Sequence, residues 1–252
     1  MIKIGVFSSN GKMGKALIHN LRDNQSVVTI ACSKSYNDNQ ITLNNGQILE
    51  KQNISFPNIN NILYTNSINT LCRNSDVVID FSNSIFLNEI LDTAVIYDTK
   101  LVIGTTGFTQ MQNKMLESYS SKIPILYSEN MSMGIQLLHK AIAHISKNIP
   151  KCFDIGISEI HHKHKQDSPS GTAIMLGKAF NSKKDIAYSS LRVGKVYGEH
   201  SVIIDSEEET ITLSHKAKNR DIFAKGAIQA ATWLYGHNTK GRLYSLSDIL
   251  DK

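Results

Sequence analysis

The sequence has few cysteines that could form disulfides and no long apolar segment that could anchor it in a membrane. Its 252 residues include three cysteines, Cys32, Cys72 and Cys152, which lie far apart and form no CxxC pair. An odd, scattered set of thiols predicts a reduced protein without disulfides, and therefore a cytoplasmic location. No uncharged apolar run approaches the ~18 residues that span a bilayer. We expect neither a membrane helix nor a secretory signal.

The chain also has only a small excess of positive over negative charge. The chain has 27 basic and 22 acidic residues, a formal net charge of +5. The basic residues are spread along the chain and no DNA- or RNA-binding motif accompanies them, so we expect no nucleic-acid partner. A mild positive excess suits a small anionic ligand equally well. The hydrophobic fraction of 41% and the charged fraction of 19% are ordinary for a globular protein and exclude intrinsic disorder.

The first half of the chain alternates short apolar runs with amphipathic stretches. Residues 33–74 are an exception, rich in Asn and Ser and weakly periodic. The predicted elements are strand 2–7, helix 11–22, strand 27–32, strand 62–64, helix 67–72, strand 76–81, helix 85–97, strand 101–103, helix 109–119 with Thr109 as N-cap, and strand 123–127. This alternation predicts an α/β fold, with a Rossmann-like, doubly wound parallel sheet over residues 1–129.

The pattern changes near residue 130. The predicted elements are then helix 134–149, strand 154–160, helix 173–180, an antiparallel pair at 201–205 and 209–214, and helix 222–235. Strand 154–160 alternates apolar and other residues, which is typical of a strand with one solvated face. We therefore expect a second, C-terminal α+β domain over residues 130–221, with residues 222–252 returning to the first domain.

The turn after the first strand has the composition of a dinucleotide-binding loop. It contains Ser8, Ser9, Asn10, Gly11, Lys12, Met13 and Gly14. Gly11 and Gly14 are three residues apart, as the GxxGxxG pattern requires, and Ser8 stands where its first glycine would be. Small residues here let backbone amides approach a pyrophosphate at the helix N-terminus. An ordinary tight turn is the alternative, and Ser8 has either a negative φ or a strained conformation.

The end of the second strand carries a base and no acid. Cys32 is followed by Ser33 and Lys34, and the next acid is Asp38. An acid at this place bonds the ribose 2′-hydroxyl of NAD, whereas a basic residue accommodates the 2′-phosphate of NADP. The sequence therefore favours NADPH slightly over NADH. The alternative is that Lys34 is a solvated loop residue.

Two further segments follow strands at the edge where open α/β sheets bind ligands. One is Gly104-Thr105-Thr106-Gly107-Phe108, in which glycines permit close approach and threonines supply hydroxyl groups. The other is Ser128-Glu129-Asn130-Met131, at the predicted domain junction, a usual place for a cleft. For the first segment, a plain turn is the alternative.

The densest chemical signal lies between Glu159 and Ala173. Three histidines and two lysines, at positions 161 to 165, follow a predicted strand and supply proton donors near neutrality. Ser170, Gly171 and Thr172 then open a helix, whose amides and hydroxyls can hold a carboxylate. The run predicts an acid–base site for a small acidic substrate. A metal site lacks a completing cysteine or carboxylate cluster, and a solvated basic loop is the other alternative.

Together these motifs resemble the dihydrodipicolinate reductase family. The family signature E-x-H-H-x-x-K-x-D-x-P-S-G-T-A is present in full from Glu159 to Ala173. The resemblance extends over nearly the whole chain in order, through GTTGF, Asn130-x-Ser132-x-Gly134, Gly198-Glu199-His200, and His215-Lys216-Ala217 with Arg220, Phe223, Ala224 and Gly226-Ala227.

The resemblance implies NAD(P)H-dependent reduction of 4-hydroxy-tetrahydrodipicolinate to tetrahydrodipicolinate, with loss of water, in the diaminopimelate route to lysine. It implies a dinucleotide-binding first domain, a second domain for substrate binding and oligomerisation, and a homotetramer. His161 falls on the family's proton donor or acceptor and Lys165 on its proton donor. The substrate-binding residues are His162, Ser170, Gly171 and Thr172. The cofactor contacts are Ser8, Ser9, Asn10, Gly11, Lys12, Met13, Lys34, Gly104, Thr105, Thr106, Ser128, Glu129, Asn130 and Met131.

Several positions depart from the family pattern. Ser8 replaces a glycine, Glu129 a small residue and Met131 an aromatic one, which bears on cofactor affinity. The segment 185–196 is shorter than in many relatives, which bears on the tetramer. Two other functions stay open: a semialdehyde dehydrogenase-like reductase, for which Cys152 would be the nucleophile, and a regulator that binds NADPH without turnover.

Overall fold

We describe the protein from a computed structural model, over residues 1–22, 27–34, 41–42, 48–49, 62–180, 185–237 and 240–251. Asp38 and most of the Asn-rich segment lie outside these residues. The chain forms two compact units. The first contains residues 1–131 and 223–250, and the second contains residues 132–222 with Asp251.

The first unit begins with alternating strands and helices, as the sequence predicts. The strands are β1 (Ile2–Phe7), β2 (Val27–Cys32), β3 (Ile41–Thr42), β4 (Ile48–Leu49), β5 (Ile62–Thr65), β6 (Val77–Asp80), β7 (Lys100–Ile103) and β8 (Ile125–Tyr127). The helices are α1 (Lys12–Arg22), α2 (Ile68–Arg73), α3 (Leu87–Ile96) and α4 (Gln110–Ser120), with a 3₁₀ turn at Ser84–Phe86. Helix α4 begins with a capping box of Thr109 and Gln112, so the predicted N-cap is confirmed.

The second unit packs two helices on a mixed sheet. Its elements are α5 (Met133–Ile145), β9 (Asp154–His161), α6 (Gly171–Lys178), β10 (Ile186–Arg192), β11 (Glu199–Asp205) and β12 (Thr210–Lys216). The strand order is β10-β9-β11-β12, with β10 parallel to β9 and the other neighbours antiparallel. Apolar residues of β9 alternate inward and pack against α5 and α6 in one core. The predicted antiparallel pair is confirmed.

Two features of the second unit differ from the prediction. Helix α5 ends at Ile145 rather than at residue 149, and Pro150 has no N–H that could continue the helix by donating to the Ser146 carbonyl. Strand β10 was not predicted, since it lies at the sheet edge and contains small polar residues such as Ser189 and Ser190 instead of an apolar alternation. Strand β10 pairs with β9 over seven residues.

The end of the chain returns to the first sheet. Helix α7 (Asp221–Gly236) is followed by β13 (Leu243–Tyr244), which pairs in parallel with β8, and by a 3₁₀ turn at Leu246–Leu250. The Lys100 Nζ donates to the carbonyls of Leu234, Tyr235 and His237 at 3.1, 2.8 and 3.0 Å, so it satisfies groups at the end of α7. Strand β13 was not predicted because two residues carry no periodicity.

The completed sheet of the first unit has the order β13-β8-β7-β6-β1-β2-β5-β3-β4. Strands β13 through β5 in this order are parallel, whereas β3 and β4 are antiparallel to their neighbours. All four residues of β6 are buried, as expected of a parallel strand covered on both faces. The strand order reverses at β1, so the carboxyl ends of β1 and β6 flank the crevice where such sheets bind ligands.

Helix α7 approaches the segment after β8 so closely that only glycine fits. A Cβ atom at Gly226 would lie 1.8 Å from the backbone oxygen of Met131, whereas a Cβ atom at Gly236, on the same helix, would meet nothing within 4 Å. We predict that Gly226→Ala lowers the free energy of unfolding by about 2 kcal/mol or more, since the backbone must shift. The control Gly236→Ala should change it by less than about 1 kcal/mol. Denaturant titration measures the free energy of unfolding of both variants. Equal unfolding midpoints for the two variants would contradict the packing argument.

Candidate active site

The turn after β1 has the geometry of an anion-binding loop. Ser8 has a φ of 58°, so the strained alternative for this position is the correct one. The Gly11 N–H donates to the Ser8 carbonyl at 2.9 Å. A Cβ atom at Gly14 would lie 2.5 Å from the Ser8 carbonyl oxygen and from the Ser9 Cα. The turn is therefore closed by backbone contacts, and it leads directly into the first amides of α1.

Ser9 joins this turn to the end of the neighbouring strand. Its buried N–H and hydroxyl both donate to the Cys32 carbonyl, at 2.9 and 3.0 Å. Asn10, Gly11 and Lys12 are exposed, and Met13 is half-buried. The predicted loop residues thus lie together at the carboxyl end of β1.

Lys34 lies at the carboxyl end of β2, as the sequence predicts, but its charge is paired. The Nζ atom is 2.7 Å from Glu89 Oε2 and 4.8 Å from the ring centroid of Phe86. Glu89 was not singled out in the sequence, because 55 residues separate it from Lys34.

The GTTGF segment follows β7 and is held against the end of β6. The Gly104 N–H donates to the Asp80 carbonyl at 2.9 Å, and the buried Thr105 hydroxyl lies 3.4 Å from the same oxygen. A Cβ atom at Gly104 would lie 2.3 Å from the Phe81 ring, so this position requires glycine. Thr106 is exposed.

The segment after β8 lies at the same edge of the sheet. The Ser128 N–H donates to the Ile103 carbonyl at 3.1 Å, and its hydroxyl donates to the Asn130 carbonyl at 2.9 Å. Glu129 is exposed, whereas the Met131 side chain is buried. The structure therefore brings the predicted cofactor residues of the first unit to the carboxyl ends of β1, β2, β7 and β8.

In the second unit, a buried carboxylate organises the histidine cluster. Arg192 binds Glu159 through two hydrogen bonds, at 2.6 and 2.8 Å. The Glu159 carboxylate also accepts hydrogen bonds from the His161 Nδ1, from the Ser190 side chain and, at 3.2 Å, from the Ser170 N–H. The Arg192 guanidinium also donates to the Asp167 carbonyl at 2.5 Å. Arg192 thereby joins β10 to Glu159 on β9 and to the segment that precedes α6.

The charges of this cluster determine where its protons lie. Burial alone would raise the pKa of Glu159, but the hydrogen bonds from Arg192 and His161 outweigh it and hold the pKa at about 2. Burial lowers the pKa of His161, and the charge of Lys165 acts in the same direction. At neutral pH an ionised Glu159 accepts a hydrogen bond from the Nδ1–H of a neutral His161. The His161 Nε2 then carries a lone pair, and it lies 3.0 Å from where a Cβ atom of Gly198 would be.

His200 fixes the serine at the start of α6. Ser170 is the N-cap and its hydroxyl accepts from the Ala173 N–H at 3.2 Å. The same hydroxyl is 3.2 Å from the His200 Nε2. Burial lowers the pKa of His200 to about 3, so the ring is neutral at physiological pH. The ring meets that of His161 edge-on, with centroids 5.1 Å apart.

Lys165 lies beside the first amide of α6. Its Nζ forms an ion pair with Asp167 at 2.8 Å, and the Gly171 N–H is 3.4 Å from the other Asp167 oxygen. A carboxylate thus already bridges the lysine and the amide that the sequence assigns to a substrate carboxylate. His162 is half-buried, and its Nδ1 has no hydrogen-bond partner among the described residues. Thr172, also half-buried, is the second residue of α6.

Sequence reasoning did not assign roles to three residues of this cluster. Glu159 and His200 lie within motifs described in the sequence analysis. Each is a polar residue at a buried position of a strand, and this pattern could have indicated a role in the site. Arg192 had no signal, because the strand that carries it was not predicted. In the described part of the chain, no three His, Cys, Asp or Glu side chains are grouped so that they could hold a metal ion. Nor does any helix there have the length and apolar character needed to cross a membrane.

Comparison with known proteins matches both units. Residues 2–131 match the sequence model of the dihydrodipicolinate reductase N-terminus, and residues 134–250 match that of its C-terminus. A 4-hydroxy-tetrahydrodipicolinate reductase of Rickettsia bellii is 40% identical over 99% of this chain and 94% of its own. The enzyme of the same name from Sulfurovum sp. is 35% identical and covers 99% of both chains.

The fold is also found among solved structures. Dihydrodipicolinate reductase from Paenisporosarcina sp. TG-14, solved with dipicolinate bound, superposes with a TM-score of 0.75 and covers 99% of both chains at 21% identity. The predicted α/β fold, with a Rossmann-like sheet and a second mixed sheet, is therefore confirmed. The family matches do not favour a semialdehyde dehydrogenase-like reductase or a regulator without turnover. The chain belongs to the dihydrodipicolinate reductase family.

Proposed function

We propose that this protein reduces 4-hydroxy-tetrahydrodipicolinate to tetrahydrodipicolinate in the route to diaminopimelate and lysine. The reaction consumes NAD(P)H and a proton and releases water. The observation that carries the proposal is the cluster of Glu159, His161 and Lys165 beside the capped start of α6. Relatives with the same chemistry in their names cover almost the whole chain. The test is oxidation of NADPH or NADH coupled to freshly generated cyclic substrate.

The first unit has the features that a dinucleotide requires. The left-handed Ser8 and the close contacts around Gly14 let backbone amides approach a pyrophosphate at the N-terminus of α1. We assign cofactor contacts to residues 8–13, 104–106 and 128–131, and the ribose 2′ position to Lys34. When bound, the nicotinamide supplies the hydride. A positive Lys34 supports a slight preference for NADPH over NADH.

The second unit offers a site for a small dicarboxylate. The start of α6 presents amides at Gly171 and Thr172, and Asp167 occupies the place of a carboxylate between Gly171 and Lys165. We propose that a substrate carboxylate takes this place, held by Ser170, Gly171 and Thr172 with His162 beside it. The relative that was solved with dipicolinate bound supports a ligand of this class.

Lys165 and His161 are the two side chains that we expect to donate and accept protons during the reaction. Hydride addition builds negative charge on the ring. A protonated Lys165 can stabilise this charge electrostatically and then donate a proton to the ring. His161 has the complementary role: Glu159 holds its Nδ1 proton, so Nε2 can accept a ring proton and return it to the hydroxyl group that leaves as water. We assign Arg192 and His200 no ligand contact; Arg192 positions Glu159, and His200 positions Ser170.

We further propose that the second unit forms a homotetramer through its sheet. Strand β10 is at the edge of that sheet and exposes Tyr188 and Leu191, with Val193 beyond its end, at 40, 53 and 48%. Exposed apolar side chains on an edge strand favour pairing with another chain. Light scattering on the purified protein tests the assembly. The three free thiols support a cytoplasmic location.

Removal of Lys165 should slow the chemical step strongly while leaving cofactor binding intact. We predict that Lys165→Ala lowers kcat by about 100-fold or more, as loss of a general acid does. NADPH affinity, measured by nucleotide fluorescence, should persist because Lys165 belongs to the second unit. Lys163→Ala, an exposed lysine two positions away, is the matched control and should keep its kcat. Full turnover by Lys165→Ala would remove this residue from the mechanism.

His161 should set the acidic limb of the pH–rate profile. Burial lowers its pKa below the ordinary 6.5, so kcat/KM should stay high at pH 7 and fall only as pH drops through that lowered pKa. In His161→Gln this limb should disappear, with a loss of turnover smaller than that of Lys165→Ala. His164→Gln, at an exposed position, serves as control and should retain the limb. An identical profile in His161→Gln would argue against proton acceptance by this ring.

A further inference from the structure

Lys34 is engaged by an acid from a different part of the sheet. Its Nζ pairs with Glu89 Oε2 at 2.7 Å, and both side chains are 49% exposed. Glu89 belongs to α3, the helix after β6, whereas Lys34 follows β2. The described chain thus places an acid beside the end of β2, where the local sequence has none before Asp38.

This ion pair borders the turn that we assign to the pyrophosphate. The Phe86 ring lies 4.8 Å from the Lys34 Nζ and contacts Phe7 edge-on, with ring centroids 5.7 Å apart. Phe7 is the residue before Ser8, and Ser9 is bonded to Cys32, two residues before Lys34. In dinucleotide-binding folds, the adenosine ribose is read at the end of this second strand.

We propose that Glu89 is a specificity-determining residue for the cofactor, which reduces the advantage that Lys34 gives to NADPH. A 2′-phosphate is an anion and must displace the Glu89 carboxylate or lie beside it, where like charges repel. The 2′-hydroxyl of NADH is neutral and can donate a hydrogen bond to a carboxylate. The chain therefore carries both the base that accommodates NADPH and the acid that accommodates NADH. This inference rests on the proposed function, because it places the ribose 2′ position at Lys34.

The first test compares the affinities of the two nucleotides, without turnover. In Glu89→Gln, the ratio of NADPH to NADH affinity should rise about two- to fivefold at low salt, the range expected for removing one partly screened charge. The rise should shrink at high ionic strength. Glu117→Gln makes the same charge change at an exposed site on α4 and should leave the ratio unchanged. Titration followed by nucleotide fluorescence measures each affinity.

The second test asks whether Glu89 acts through Lys34. Lys34→Gln should lower the ratio, and adding Glu89→Gln to that variant should raise it by less than in the wild-type chain. If Lys34→Gln lowers the ratio but Glu89→Gln does not raise it, the role of Glu89 is overturned while that of Lys34 stands. If neither change moves the ratio, both assignments are wrong. If the wild-type chain binds neither nucleotide, the proposed function fails, and the inference with it.

Discussion

A single buried carboxylate holds the chemistry of the second unit in place. Glu159 is almost inaccessible, and each of its oxygens is engaged by groups from β9, β10 or the start of α6. An ionised carboxylate tolerates such burial only when charged and hydrogen-bonding partners replace its hydration. Because Arg192 supplies the balancing charge, Glu159 can stay ionised and keep the His161 ring in one orientation and one tautomer.

The first unit achieves its positioning through the backbone instead. The Ser8–Gly14 turn, the Gly104 approach to Phe81 and the Gly226 contact with Met131 leave no room for a side chain. These contacts bring loops from different strands to the same sheet edge, which is what a long, extended cofactor requires. The proposed nucleotide site and the proton-holding cluster are thus built by different means in the same chain.

Local sequence was sufficient to predict most of the fold and to identify several residues that the structure brings together in the candidate site. The parallel strands were recognisable because each is a continuous apolar run, and His161, Lys165 and Ser170 lie within one short stretch. Strand β10 was missed because an edge strand needs no apolar alternation, and Arg192 was missed with it. Glu89 was missed for another reason, since its partner is distant in sequence and only the order of the strands brings them together.

The left-handed conformation of Ser8 also affects how such chains are found. An L-residue other than glycine adopts this backbone at a cost of about 1 kcal/mol, so local preference does not explain the turn. The conformation of the turn is instead stabilised by tertiary hydrogen bonds, which connect Ser9 to Cys32 at the end of β2. A search that requires three glycines at this turn would pass over this chain. Nucleotide-binding turns of this kind are therefore better sought by their tertiary ties than by their glycine count.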